Sequence, residues 1–282
     1  MSRLRLWTPI ILTMMAVACF GQTPSDIVAQ ADSLFAQLWS TQYTISDAPQ
    51  LQAVLEEAIQ LYTQALVQDP AYVPALNMLA RCSYTLADMF LPPKDRAAAH
   101  AKGQEYGERA LRADPEFVRV EREKGFVEAV KVSSDIAALF WTYSNWARKV
   151  DLGGAVSLIG AVLRGDDKKL MALMERCLEL DRGYIAGGPL RAVAGYWAKH
   201  PLSKDPVKVR TSLEEAIAAH PDYLENRLFF VEYYLIPAEM WAEAKTYLQA
   251  IIDAPLSEDA LEDGHVKILA LDLLLLVEGK LP

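Results

Sequence analysis

One short unit recurs along this chain and constrains its fold more than any other feature. Ala65-Leu-Val-Gln-Asp-Pro-Ala-Tyr72 is echoed by Ala110-Leu-Arg-Ala-Asp-Pro-Glu-Phe117. It returns as Cys177-Leu-Glu-Leu-Asp-Arg-Gly-Tyr184 and as Ala216-Ile-Ala-Ala-His-Pro-Asp-Tyr223, with a worn copy at Ala250-Ile-Ile-Asp-Ala-Pro255. The small first residue lets two helices approach closely. The Asp-Pro pair ends one helix and starts the next, because proline disfavours helix at the residue before it and suits a helix's first turn. The aromatic two positions on packs back across the pair. Between the copies, apolar residues recur at three and four rather than alternating. Leu51, Val54, Leu55, Ala58, Ile59, Tyr62, Ala65 and Leu66 form one such stripe. Lys169–Leu180 and Val207–Ala218 form two more, with Asp166 expected as the N-cap of the first and Asp205-Pro206 opening the second.

Eleven or twelve helices and no sheet are therefore expected. A small-apolar-x-x-Asp-Pro-x-Tyr signature at the end of a second helix marks a tetratricopeptide repeat, whose period is about 34 residues. The copies here are offset by 45, 67, 39 and 34 residues, so the expectation is a divergent, all-α tetratricopeptide array stacked as a superhelix. The domain expected at 50–282 follows an N-terminal helix and linker at 19–49. It carries an aromatic and glycine-rich insertion at 134–165, which holds ALFWTYSNWARKVDLGG and then a short apolar helix, Ala155–Leu163.

The N-terminus reads as an export signal. Arg3 and Arg5 precede an uncharged run from Leu6 to Ala18, too short for a permanent span, and Ala16-Val-Ala18 stands just before Cys19. A small-residue triplet before Cys resembles a bacterial lipobox, with Ala16 where Leu is usual. Lipidation at Cys19 after removal of residues 1–18 is expected, with an ordinary signal cleavage as the other reading. Cleavage leaves 264 of 282 residues and moves the net charge from −9 to −11. An acidic surface argues against nucleic-acid or anionic-membrane binding through charge, leaving a lipid anchor as the membrane link. Cys82 and Cys177 read as buried thiols, with a disulfide between them as the alternative in an oxidising compartment. Two such cysteines and four scattered histidines give no metal spacing, and no cofactor is expected.

On a helix, Phe140, Tyr143, Ala147 and Val150 share one face, which reads as ordinary core. Trp141, Ser144, Asn145 and Arg148 share another. That second face either packs on a neighbouring repeat or lines a groove or pore, with Trp141 supplying contact area and Asn145 and Arg148 polar grips. Gly187-Gly188-Pro189 with Arg191 is a second candidate for the same cavity, against a tight inter-repeat turn. Tyr233, Tyr234 and Trp241 are candidates for a subunit or partner surface, against repeat core. No catalytic motif is present: there is no H-E-x-x-H, no G-x-S-x-G and no phosphate-cradling glycine loop. An enzyme is not expected.

The ordered series of Cys19, the Asp-Pro copies, ALFWTYSNWARKVDLGG, MERCLELD, YIAGGPLR, KDPVKVR and LFFVEYY resembles the T component of TPR-protein-associated TRAP transporters. The resemblance covers roughly residues 50 to 255 and is strongest from Ala138 to Tyr234. It implies a periplasmic, lipid-tethered protein that forms a homotrimer around a pore. It further implies docking of the periplasmic solute-binding protein of a system driven by an ion gradient, and passage of a small hydrophobic ligand. Two alternatives are a general tetratricopeptide scaffold lipoprotein for envelope assembly and a lipid-handling protein with a closed apolar cavity.

Overall fold

Six of the helices open with proline in their first turn, where its missing N–H costs nothing. This placement, seen in a computed structural model that describes residues 21–281, divides the chain into short antiparallel segments. The segment read as an export signal and Cys19 lie outside the described residues. Among those described there are fourteen α-helices and no strand. They are α1 Pro24–Trp39, α2 Ala48–Gln68, α3 Val73–Thr85, α4 Pro93–Leu111, α5 Pro115–Lys124, α6 Phe126–Val132 and α7 Ile136–Leu152. The second half continues with α8 Gly154–Leu163, α9 Asp166–Leu180, α10 Tyr184–Lys199, α11 Pro206–Ala219, α12 Leu224–Phe230, α13 Trp241–Asp253 and α14 Ala260–Glu278. The expected eleven or twelve is an undercount, because α5 with α6 and α7 with α8 are separate helices broken at glycine.

Each recurring unit sits at a helix end. Ala65, Ala110, Cys177 and Ala216 are all buried, near the ends of α2, α4, α9 and α11. Asp205 caps α11 by accepting the Lys208 N–H at 3.0 Å. Asp166 is not the cap of α9 but its first residue; Gly165, in the left-handed region at φ 72°, precedes it.

Two hydrophobic cores form. The larger runs through α1 to α9, the smaller through α10 to α14. The last helix returns to the first: α14 packs on α1, and the Tyr43 ring meets His265 edge-on at 5.4 Å. Helix α7 is central, packed by α3, α4, α8, α9 and α10. Asp135 fixes its start, capping Ala138 N–H at 3.0 Å while accepting Asn77 of α3 at 2.9 Å. Its approach to α4 is close enough to require glycine. A Cβ at Gly103 would lie 2.3 Å from Asn145 Oδ1, and one at Gly107 2.2 Å from Thr142 Oγ1.

Two helices end in π-helical turns: α3 runs into Leu86–Phe90 and α12 into Val231–Leu235. Such turns shift the side-chain register and are frequent at functional sites. Both deliver charged residues, Asp88 and Glu232, to the same internal space.

Candidate functional site

Between the two cores lies a cavity of about 230 Å³. Its walls come from α3, α7 to α10, α12, α14 and the two π turns, with Trp39 from α1 at one side. The structure places Trp141, Arg148, Gly188 and Arg191 on this wall. Phe140, Tyr143, Ala147 and Val150, expected as plain core, line it as well, so the cavity takes in both faces of α7. Leu158, Ala161 and Val162 of α8 cover another part of it.

Asn145 does not reach the cavity. It is fully buried against α3 and α4, donating to Ala80 O at 2.9 Å and Trp141 O at 2.8 Å. Its Oδ1 faces His100 Nδ1 at 3.2 Å, and His100 Nε2 faces Asp88 Oδ1 at 3.1 Å. Arg148 closes the set with two hydrogen bonds to Asp88 Oδ2, at 3.0 and 2.8 Å. Burial alone would raise the Asp88 pKa. The Arg148 charge, with hydrogen bonds from His100 and Tyr84, outweighs it and holds this carboxyl well below the usual range.

Gly187 also stays off the cavity wall. It is the third of three left-handed residues, Ile185 (φ 47°), Ala186 (φ 49°) and Gly187 (φ 89°), that turn the chain at the start of α10. Left-handed backbone is strained for Ala and more so for β-branched Ile. Arg191 holds the turn. Its guanidinium donates to Ile185 O at 3.0 Å, Ala186 O at 2.9 Å and Asn226 Oδ1 at 2.7 Å, and its Nε pairs with Glu225 at 2.9 Å. It also stacks on the Tyr223 ring, whose hydroxyl donates to Glu262 at 2.7 Å.

Tyr233 faces inward, not outward: it lines the cavity, with Lys199 over its ring at 5.1 Å. Tyr234 stacks on Phe230 and Trp241 is half-buried at the start of α13; neither touches the cavity. Cys82 and Cys177 are buried and unbonded, with burial pushing both thiols up to about 12. No metal-binding cluster is present among the described residues.

Much of the cavity's chemistry escaped sequence reasoning: Arg81, Tyr84, Asp88, Glu225, Glu232, Glu262 and His265 all line it. Burial, aided by the Glu225 charge and opposed by Arg191, raises the Glu262 carboxyl to about 8. Burial also raises Glu232 and lowers His265 to about 4. A signal was present: Asp88 and Glu232 are single charges inside apolar runs, Leu86-Ala-Asp-Met-Phe and Leu228-Phe-Phe-Val-Glu-Tyr-Tyr-Leu-Ile. A lone charge there is costly unless partnered, so such positions mark built polar sites.

Fold and site together define an all-α array with an internal chamber walled by aromatic rings and buried charges. The family model for the TRAP transporter T-component matches residues 42–263, and the chain belongs to that family. It is a family of transporter components rather than of enzymes. No curated protein matches the chain. No described helix is long and apolar enough to cross a membrane.

Proposed function

We propose that the chain is the periplasmic accessory subunit of a TRAP-type secondary transporter, holding a small solute in its internal chamber and docking the system's solute-binding protein. The chamber carries this reading. A tightly packed array has no structural need for a space of about 230 Å³ into which three arginines, three glutamates and several rings project. Buried charges cost folding free energy, and a site for solute is a reason to keep them. The reading includes a tetratricopeptide-like ancestry for the helix pairs, a lipid tether at Cys19 and a homotrimer. Outward apolar side chains support self-association: Val156 and Leu163 on α8 are 84% and 82% exposed, and Leu275 on α14 is 72% exposed.

The test is the mass of the mature, lipid-free protein in solution by light scattering, alone and with the solute-binding protein of a TRAP system from the same genome. A trimer that shifts to a larger complex is expected. A monomer indifferent to that protein would overturn the docking reading and favour a general envelope scaffold.

A further inference from the structure

Four arginine and lysine side chains line the chamber, and three have an acid of their own. Arg148 pairs with Asp88 at 2.8 Å, Arg191 with Glu225 at 2.9 Å, and Lys199 with Asp151 at 2.7 Å. Arg81 differs. Among the described residues it has no ion pair and no hydrogen bond, and its Nε is buried without a partner. Its close contacts are with rings, and its charge reaches the Glu262 carboxyl without forming an ion pair. The guanidinium lies 4.5 Å from the Trp39 centroid, 4.8 Å from Phe35 and 5.7 Å from Trp141.

Ring stacking fixes the plane of a guanidinium but leaves its in-plane N–H donors unused. A cation so oriented, inside a largely apolar space, lacks the acceptor that would offset its lost hydration. The planar fork matches a carboxylate, which takes two parallel N–H···O bonds. Trp39, Trp141 and Phe140 around it offer apolar and ring surface to whatever the carboxylate is attached to. The far side of the chamber cannot supply a second anion site, because Arg148, Arg191 and Lys199 are already paired.

We propose that Arg81 is the head-group subsite of the chamber and that its ligand is a small monocarboxylate with an apolar or aromatic body. This rests on the chamber holding a solute at all. The subsite itself is local: the head group sits on Arg81 between Trp39 and Trp141, and the body extends along Phe140 into the chamber.

The experiment is calorimetric titration of the mature protein with octanoate and 3-phenylpropanoate, each against its neutral amide and its ammonium analogue, repeated with Arg81→Met and Arg81→Lys. The expected result is a preference for carboxylate over amide of roughly tenfold to a hundredfold, the range of a charge-assisted hydrogen bond. Arg81→Met abolishes the preference while amide binding persists, and Arg81→Lys keeps part of it. Equal binding of acid and amide to the native protein overturns the subsite, whatever the variants do, and leaves the chamber standing. So does tighter binding of the ammonium analogues, which would hand the head group to a chamber carboxylate such as Glu232 instead. Absence of any binding at millimolar concentration removes the chamber reading and the subsite together.

Discussion

Replacing Glu262 with Gln tests whether the chamber stores a buried, protonated acid. Gln keeps the shape and can still accept the Tyr223 hydroxyl hydrogen bond seen at 2.7 Å, but cannot ionise. In the native protein the Glu262 carboxyl is raised from 4.5 to about 8, first by burial and then by the charge of Glu225. A raised acid binds more protons folded than unfolded between those two values. Its stabilising effect is therefore complete below the unfolded value and declines as pH rises towards the folded one. At about 1.4 kcal/mol per pH unit, the ceiling is about 5 kcal/mol. Glu262 lines a space that water can enter, and solvent screening brings the expected change down to about 2 kcal/mol. Urea unfolding at pH 5, 6.5 and 8 measures it. The native protein should lose about 2 kcal/mol relative to Glu262→Gln between pH 5 and 8. Two curves that run parallel across that range would refute the reasoning.

Other substitutions report on the packing that builds the chamber. Arg191→Met should destabilise by about 3–5 kcal/mol in urea, since it strands Glu225 and frees the carbonyls of Ile185 and Ala186. Ala186→Gly should stabilise by up to about 1 kcal/mol, because φ 49° strains an alanine and not a glycine; a calorimetric melting temperature at or below the native one counts against it. Thr142→Val should stabilise by about 1 kcal/mol, as the Thr142 hydroxyl is buried without a partner. Gly107→Ala, which puts a Cβ 2.2 Å from that hydroxyl, should cost about 2 kcal/mol or more in the same melts.

The helical array was legible because its punctuation is chemical. Asp-Pro pairs and small residues at helix junctions act within a few residues, and a reader of sequence sees that range. The chamber was less legible, because its parts act across the fold. Periodicity placed Asn145 and Arg148 on one face of α7, and they do share it. Their fates differ because α4 approaches through Gly103 and seals Asn145, while Arg148, one turn towards the C-terminus of Ser144, reaches Asp88. Gly187-Gly188-Pro189 signalled a turn, but not that Ile185 and Ala186 would be left-handed, since neither residue favours that backbone; Arg191, and Asn226 from 40 positions away, impose it through hydrogen bonds. The π turns are equally silent in sequence, and they decide that Asp88 and Glu232 point inward.

The crowd of rings in the segment from Ala138 to Gly154 follows from where α7 sits. A helix packed on every side needs apolar area all round. Leucine and valine would supply it but would leave the chamber without polar contacts. Aromatic residues do both, having a broad apolar body and, in Tyr, a donor at the tip. Tyr143 is the plainest case: its ring lines the chamber while its hydroxyl donates to Ala192 O of α10 at 2.9 Å. Trp141 packs on Phe140 at 5.0 Å, tilts against Tyr84 at 5.6 Å and faces Arg81. Phe140 in turn meets Gly188 of α10, where a Cβ would lie 2.8 Å from its ring. The two features singled out in the sequence thus meet at one contact: Phe140 of the aromatic run of α7 seats against Gly188 of α10, and the chamber is the space the rings and turned backbone cannot fill.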